Sequence, residues 1–408
     1  MTSRRMNLLD RPWRDHFHAA VASKVDAPTL AELRESFVQF ITEHPDHAIA
    51  GRISADQKRW VQVPAAERRA HAEQVFAPGP HNTDPQGWLN HAIAGVKPQF
   101  PLSVYVGDDT ISISLTHMST DGASCSLVIS AIARNDFGAF ASLEPHADLA
   151  MLLRAAAKSL REFGSRWWAT FRGRDTKEVA ASSKPPAIEP TVWTSKPPAP
   201  TAAMHRLEPA TMAALNAWRK SAAAEMSLTS LLTTAIWRAL AAESIPLNPA
   251  GFTGLFDLRR FLPAEQQVLA GNLAKAIHVQ TDMGDPAALH RDVQASVATG
   301  RALPAAIIGS VSSMLPQRAQ KQVGPSALEL TFSSMPALPG RDSLPWSDPD
   351  NARYGGLGFP TSATGISAFS VRIGQATEVF VSFDARTVDP AAVARALARL
   401  DDIDSLMS

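Results

Sequence analysis

Six prolines, at 185, 186, 190, 197, 198 and 200, constrain this 408-residue chain more than any other feature. They lie in GRDTKEVAASSKPPAIEPTVWTSKPPAPTAA, residues 173–203. Proline lacks an amide donor and pushes the residue before it out of the helical region. Such a stretch therefore forms neither a helix nor a central strand. It reads as an extended linker between two halves of similar size, 1–172 and 204–408. A long ordered loop packed on one half is the alternative. At about 150 residues per domain, the length alone allows two or three.

Each half mixes helical and strand patterns. In the first, Leu30, Leu33, Phe37, Phe40 and Ile41 fall at helical spacing between Pro28 and His44, and Pro45 stops the helix. Short strand candidates follow at 48–54 and 59–63. Residues 64–98 carry no clear period. FPLSVYVGDDTISISLTH reads as a hairpin turning at Asp108-Asp109. Ile111, Ile113 and Leu115 alternate there with Ser112, Ser114 and Thr116, the mark of a half-buried strand. A helix is expected from Gly122, and a longer one over about 147–172.

The second half opens with a strand at 203–208 and helices at about 209–224 and 227–243, the latter capped by Ser227. Strands are expected at 251–258, 272–282 and 327–334, with helices at about 285–300 and 304–314. The stretch 335–365, rich in Gly, Pro and Ser, reads as a functional loop. A hairpin of ISAFSVRIG and EVFVSFDAR precedes a last helix from Asp389 to about Ile403. The pattern implies two α/β domains side by side.

Composition removes several classes. Lysine plus arginine equals aspartate plus glutamate at 39 each, so there is no excess cation for a general nucleic-acid binder. With 45% apolar and 19% charged residues, the chain has enough apolar surface to fold. Cys125 is the only cysteine, which excludes an intrachain disulfide and a cysteine-rich zinc site and suits a reducing compartment. MTSRRMNLLDRPWRDHF lacks the apolar run of a signal peptide, and no stretch of about 18 apolar residues follows. A cytoplasmic protein without a membrane span is expected.

The sharpest chemical feature is His117-Met118-Ser119-Thr120-Asp121-Gly122. A histidine just beyond a strand sits on a rigid support and titrates near neutrality, so it can take a proton in a cleft. Asp121 at the entry to a helix can pair with an arginine and lock the loop, and Gly122 would permit a tight turn. An ordinary loop histidine is the plainer reading.

These six residues resemble the HxxxDG motif of the CoA-dependent acyltransferase superfamily. It includes chloramphenicol acetyltransferase, plant BAHD acyltransferases, mycobacterial polyketide-associated acyltransferases and the condensation domains of nonribosomal peptide synthetases. Other segments are similar in family order: LRESFVQFITEHPDHAIAGRI (33–53), SLTSLLTTAIWRAL (227–240), FDLRRFLP (256–263) with Gly271-Asn272, and the final strand and helix. The resemblance implies an α/β fold of two chloramphenicol-acetyltransferase-like domains, with mixed sheets, flanking helices and a tunnel between them. It implies that His117 is the general base, reachable from both faces of the tunnel. It makes Asp121 structural, paired with Arg259 or Arg260; a rival reading has Asp121 orienting His117 directly. The donor would be an acyl thioester on CoA or on an acyl carrier protein, both substrates rather than bound cofactors. The acceptor would be a small molecule with a hydroxyl or, second, an amine, in secondary-metabolite or lipid biosynthesis. A carrier-protein-binding module without chemistry, and a cyclase or hydrolase on a tethered chain, are the alternatives.

The sequence also departs from the family. Condensation domains carry a second histidine where this chain has Thr116, and the plant DFGWG motif is absent. Tyr354-Gly355-Gly356-Leu357-Gly358 reads as a flexible lid before a phosphate cradle. Ser333 and Ser334 could serve an oxyanion or be plain strand-end residues, and Asn272 is grouped with them as a substrate contact. Cys125 reads as core packing. His16/His18 and His44/His47 have spacings a metal could use but lack further ligands, so they read as surface histidines, and no metal is expected. Arg154, Lys158, Arg161, Arg166, Arg172, Arg174 and Lys177 form a basic run. It reads as a solvated face or as a platform for an acidic carrier protein or CoA phosphates.

Overall fold

A computed structural model describes residues 2–143, 148–171, 199–267, 271–312, 327–335, 338, 340–360 and 364–407. Side chains of 161–163, 165–171 and 341 lie outside that description. In chain order the first half contains β1 (Ser3–Arg5), β2 (Phe17–Ser23), α1 (Leu30–Glu43), β3 (Arg52–Ile53), β4 (Arg59–Val61), α2 (Arg68–Val75), β5 (Phe76–Pro78) and α3 (Pro85–Ala94). Then come β6 (Leu102–Val106), β7 (Thr110–Thr116), α4 (Gly122–Ala133), α5 (Phe137–Ala141) and α6 (Leu149–Phe171). The second half contains β8 (Pro200–Leu207), α7 (Pro209–Ala222), α8 (Leu228–Ala242), β9 (Gly251–Asp257), β10 (Ala274–Gln280), α9 (Pro286–Ala298) and α10 (Ala302–Ser312). It ends with β11 (Glu329–Met335), β12 (Arg353–Gly358), β13 (Gly365–Ile373), β14 (Ala376–Asp384), α11 (Pro390–Ala398) and α12 (Ile403–Met407).

Helix boundaries follow local chemistry. Thr29 and Glu32 form a reciprocal capping box at the start of α1, and its buried face is Leu33, Phe37, Phe40 and Ile41. The Ser227 hydroxyl accepts the Ser230 amide at 3.1 Å to start α8. Asp121 caps α4. Of the linker 173–203, residues 173–198 lie outside the described residues, and 200–203 already belong to β8. Pro200 is tolerated because it opens an edge strand, where no ladder donor is missed.

The strands form two large mixed sheets and one small one. The five-stranded sheet has the order β12-β2-β7-β6-β5; β5 and β6 pair parallel and the rest antiparallel. The six-stranded sheet has the order β10-β9-β11-β13-β14-β8, with β11 parallel to both β9 and β13. A three-stranded sheet, β1-β4-β3, lies apart. One apolar core gathers Phe37, Phe76, Phe137 and Phe140 around the five-stranded sheet, and a second gathers Leu231, Ile236, Leu330 and Val393 around the six-stranded sheet.

Two expectations are corrected. Strand β7 is not half-buried: all seven residues are buried, the serines included. It lies inside the sheet between β2 and β6, and α3 and α4 both pack against it, so the alternating serines are enclosed with the apolar residues. The stretch 335–365 is not one long loop, and Tyr354–Gly358 is not a lid. They are most of β12, which leaves the second half of the chain and pairs antiparallel with β2 over six residues, Arg353 against Ser23 through Gly358 against His18. The glycines there serve close approach. A Cβ on Gly355 would lie 3.0 Å from Val21 Cγ1 and 3.1 Å from Met204 Cε. Arg353 at the start of β12 is held by the fully buried Glu378 of β14.

Candidate active site

Strand β7 ends at Thr116, and the His117 amide continues its ladder by donating to the His16 carbonyl at 2.8 Å. The His117 side chain is 5% exposed. Its Nδ1 lies 2.6 Å from Asn272 Oδ1. The amide group cannot face the other way, because Asn272 Nδ2 donates to the His117 carbonyl and, at 3.1 Å, to Asp10 Oδ1. Both are acceptors. Nδ1 therefore carries the proton and Nε2 the lone pair, a tautomer set by the Asp10–Asn272 relay.

The ring is packed on both faces. The Trp13 ring stacks on it at 3.7 Å and 8°, and His18 lies 4.0 Å away at 37°. Burial first, then the nearby His18, holds the His117 imidazole well below the usual histidine range. His18 is pushed down to about 4, chiefly by burial. Both rings are neutral at pH 7.

Asp121 does not touch His117 in this arrangement. Its Oδ1 accepts the Ser124 amide at 3.0 Å and caps α4, and its Oδ2 accepts Arg259 Nη1 at 2.7 Å. Arg259 lies in a 3-10 turn, Leu258–Phe261, directly after β9, and also reaches Asp257 at 3.3 Å. Arg260 is exposed, and its guanidinium lies over the Phe261 ring at 5.7 Å. The choice left open between the two arginines resolves to Arg259. Gly122 is not needed for a tight turn: its φ is not positive, and a Cβ there would meet nothing within 4 Å. Gly271 does have a positive φ, 125°, which swings the chain so that Asn272 enters behind His117.

A cavity of about 300 Å³ lies between the two large sheets. His117 and His18 line it from one side, Phe256 and Phe369 from the other, and Ser333 and Ser334 of β11 lie on its wall. Ser334 accepts a hydrogen bond from Ser370 at 3.0 Å. Asn272 is not on this wall, which corrects its placement as a substrate contact. It faces a smaller cavity of about 180 Å³ on the far side, also lined by Trp13. A third, of about 290 Å³, lies against α7 and α8 and shares Ser334 and Met335 with the first.

Two histidines whose spacing reads as surface residues are buried instead. His18 is buried at the site, and His47 is buried and accepts the Ile49 amide at 3.2 Å. A signal for His18 existed: FHAAVAS is an apolar run of strand length, and a histidine inside it is a buried one. Nothing in the sequence pointed to Trp13 or Asp10. Cys125 also lines the cavity, but burial and then Asp121 push its thiol up to about 12, so it is no nucleophile. Of the basic run, Arg154 and Lys158 are exposed on α6; the side chains of Arg161 and Arg166, and all of Arg172, Arg174 and Lys177, lie outside the described residues. Among the described residues no group of His, Cys, Asp or Glu is arranged to hold a metal, and no helix is long and apolar enough to cross a membrane.

No family model matches the chain, and no curated protein does. Solved structures do. The TRI3 trichothecene 15-O-acetyltransferase from Fusarium sporotrichioides superposes with a TM-score of 0.62 at 12% identity, over 99% of this chain and 95% of that one. TRI101 from the same organism, complexed with coenzyme A and T-2, gives 0.54 at 13% identity over 98% and 97%. The X-domain from teicoplanin biosynthesis gives 0.52 at 14% identity over 99% and 95%. The chain therefore has the fold shared by CoA-dependent acyltransferases and condensation-like domains.

Proposed function

We propose that this protein is an acyltransferase that moves an acyl group from a thioester of CoA or of an acyl carrier protein to a hydroxyl, with His117 as the general base. One observation carries the reading. An imidazole fixed by Asn272 in the Nδ1–H tautomer keeps Nε2 unprotonated beside a cavity large enough for two reacting groups.

In the reaction, Nε2 takes the proton of the acceptor hydroxyl as its oxygen attacks the thioester carbonyl. The tetrahedral intermediate collapses, the carbon–sulfur bond breaks, and the imidazolium returns the proton to the thiolate. Burial helps by keeping the base neutral before substrate arrives, and Asn272 Oδ1 stabilises the imidazolium through Nδ1–H. The Ser333 and Ser334 hydroxyls, on the wall of the same cavity, supply donors for the oxyanion. Asp121 and Arg259 act structurally, tying the start of α4 to the turn after β9. The two halves of the chain meet around the reacting groups, with β12 of the second half joined to the sheet of the first. Holding both substrates in one cavity supplies the rest of the acceleration without an acyl-enzyme.

The test is His117→Ala, assayed by thiol release from a series of acyl-CoA thioesters with alcohol acceptors and by product mass. Turnover should fall by about 10²–10⁴, with an unchanged near-ultraviolet circular dichroism spectrum. Full turnover in that variant removes the base from the mechanism.

A further inference from the structure

The smaller cavity of about 180 Å³, behind His117, holds a positive charge with no counter-charge. Among the described residues on its wall, Lys275 of β10 is the one lysine or arginine, and none is acidic. Much of the remaining wall is apolar, with Leu9, Leu152 and Leu258. The Lys275 ammonium makes no hydrogen bond or ion pair with a described residue, and it is not sealed in packing. Its Nζ lies against α10 at Gly309, where a Cβ would stand 3.0 Å from it. Ala306 and Ser310, on either side of Gly309 in that helix, both line the cavity, so the ammonium is at its α10 wall. Glycine inside a helix is unfavourable relative to alanine. Here it leaves room for the charge. Burial with no anion nearby pulls Lys275 below the usual lysine range, and an anion beside it would reverse that.

Lys275 also stands next to the reaction cavity. It pairs across the sheet with Phe256 of β9, a wall of that cavity, and Ala274 lines both cavities. Directly opposed residues on neighbouring strands share a face, with Cβ atoms about 5 Å apart. Asn272 and Trp13, which touch the His117 ring, line the smaller cavity as well. A cavity of this size encloses one end of a substrate rather than a whole one. A single ammonium is a point charge without the fork of an arginine, so it matches one carboxylate better than a phosphate. We infer that Lys275 is a specificity-determining residue that binds a carboxylate carried by one of the two substrates, several bonds from its reacting group. The apolar wall covers the chain that leads to the carboxylate. Either the acceptor or the acyl chain can carry that group, and the experiment separates the two. This inference rests on the acyltransferase reading for turnover but not for binding.

The experiment has two arms, both read by ester mass. The acceptor arm compares 6-hydroxyhexanoate with 1-hexanol, using acetyl-CoA as donor. The donor arm compares adipoyl-CoA with hexanoyl-CoA, using 1-hexanol as acceptor. In one arm the carboxylate-bearing substrate should have a kcat/KM about ten- to a hundredfold above its neutral partner, the value of a hydrogen bond to a charged group. That arm names the substrate that carries the group. Lys275→Met, which keeps the apolar stem, should bring the ratio to about one. Lys275→Gln, which keeps a donor without the charge, should retain only a small part. A ratio near one in both arms of the wild type, or a ratio that survives Lys275→Met, overturns the inference and leaves the acyltransferase reading standing. If no pair is turned over, lysine labelled with carbon-13 at Cε decides. A Lys275 resonance, assigned through Lys275→Met, that moves with hexanoate and not with 1-hexanol supports the carboxylate site without the transferase. No movement with hexanoate overturns it.

Discussion

The Asp121–Arg259 pair gives the sharpest test of how the site is assembled. The carboxylate is 3% exposed and the guanidinium 14%, and their atoms lie 2.7 Å apart. Removing one member of a buried pair costs about 3–5 kcal/mol, because the other charge stays buried without its partner. Here Arg259 keeps Asp257 at 3.3 Å, which places the cost near the lower end of that range. The Asp121 carboxylate also caps α4, and losing a cap costs about 1 kcal/mol. Asp121→Ala should therefore destabilise by about 4 kcal/mol and Asp121→Asn, which still caps, by about 3 kcal/mol. Arg259→Met keeps the apolar stem and strands the carboxylate instead. In a double-mutant cycle of Asp121→Asn and Arg259→Met, followed by urea unfolding at pH 7 with tryptophan fluorescence, the coupling should be about 2–3 kcal/mol. The denaturant slope should not change. Costs that add to within about 0.5 kcal/mol would mean the pair is incidental and something else holds the motif.

Acid should destabilise the fold through its buried histidines. Burial, with the charge of Arg52 nearby, holds His71 at about 4, against 6.5 when free. Above pH 6.5 the ring is neutral folded and unfolded, so nothing changes. Between 6.5 and about 4 only the unfolded chain takes the proton, so stability falls by up to about 3 kcal/mol and then levels off. His71→Phe should flatten that share of the urea midpoint's pH dependence; an unchanged slope would contradict a neutral His71. Gly355→Val should cost about 1–3 kcal/mol, since its Cβ would crowd Val21 and Met204. A urea midpoint equal to wild type would show that β12 does not pack so closely on β2.

Much of the fold was legible where local pattern decides structure. Period-two alternation located β7, and the proline after His44 and the hydroxyl of Ser227 marked helix ends. The histidine past a strand end was legible for the same reason. The pattern could not say which side chain holds that histidine. Asn272 and His117 are 155 residues apart, and their contact depends on the backbone at Gly271. Nor could it show β12. Its glycines look like a loop because their reason, the nearness of Val21 and Met204, lies in distant parts of the chain. His18 sits in FHAAVAS, an apolar run of strand length, while its spacing from His16 resembles that of a surface pair.

The pairing of β12 with β2 sets an order on how this protein can be made. The ribosome releases β2, β6 and β7 early, but the partner for the outer edge of β2 is the chain around residue 358. Until then a seven-residue strand, buried in the finished protein along six of its positions, has a bare flank available to any neighbouring chain. A product truncated before residue 353 would therefore aggregate rather than persist as a half-sized protein. Cutting the gene at the proline run and mixing the two pieces would regain the site only if the second piece threads that strand back into the first.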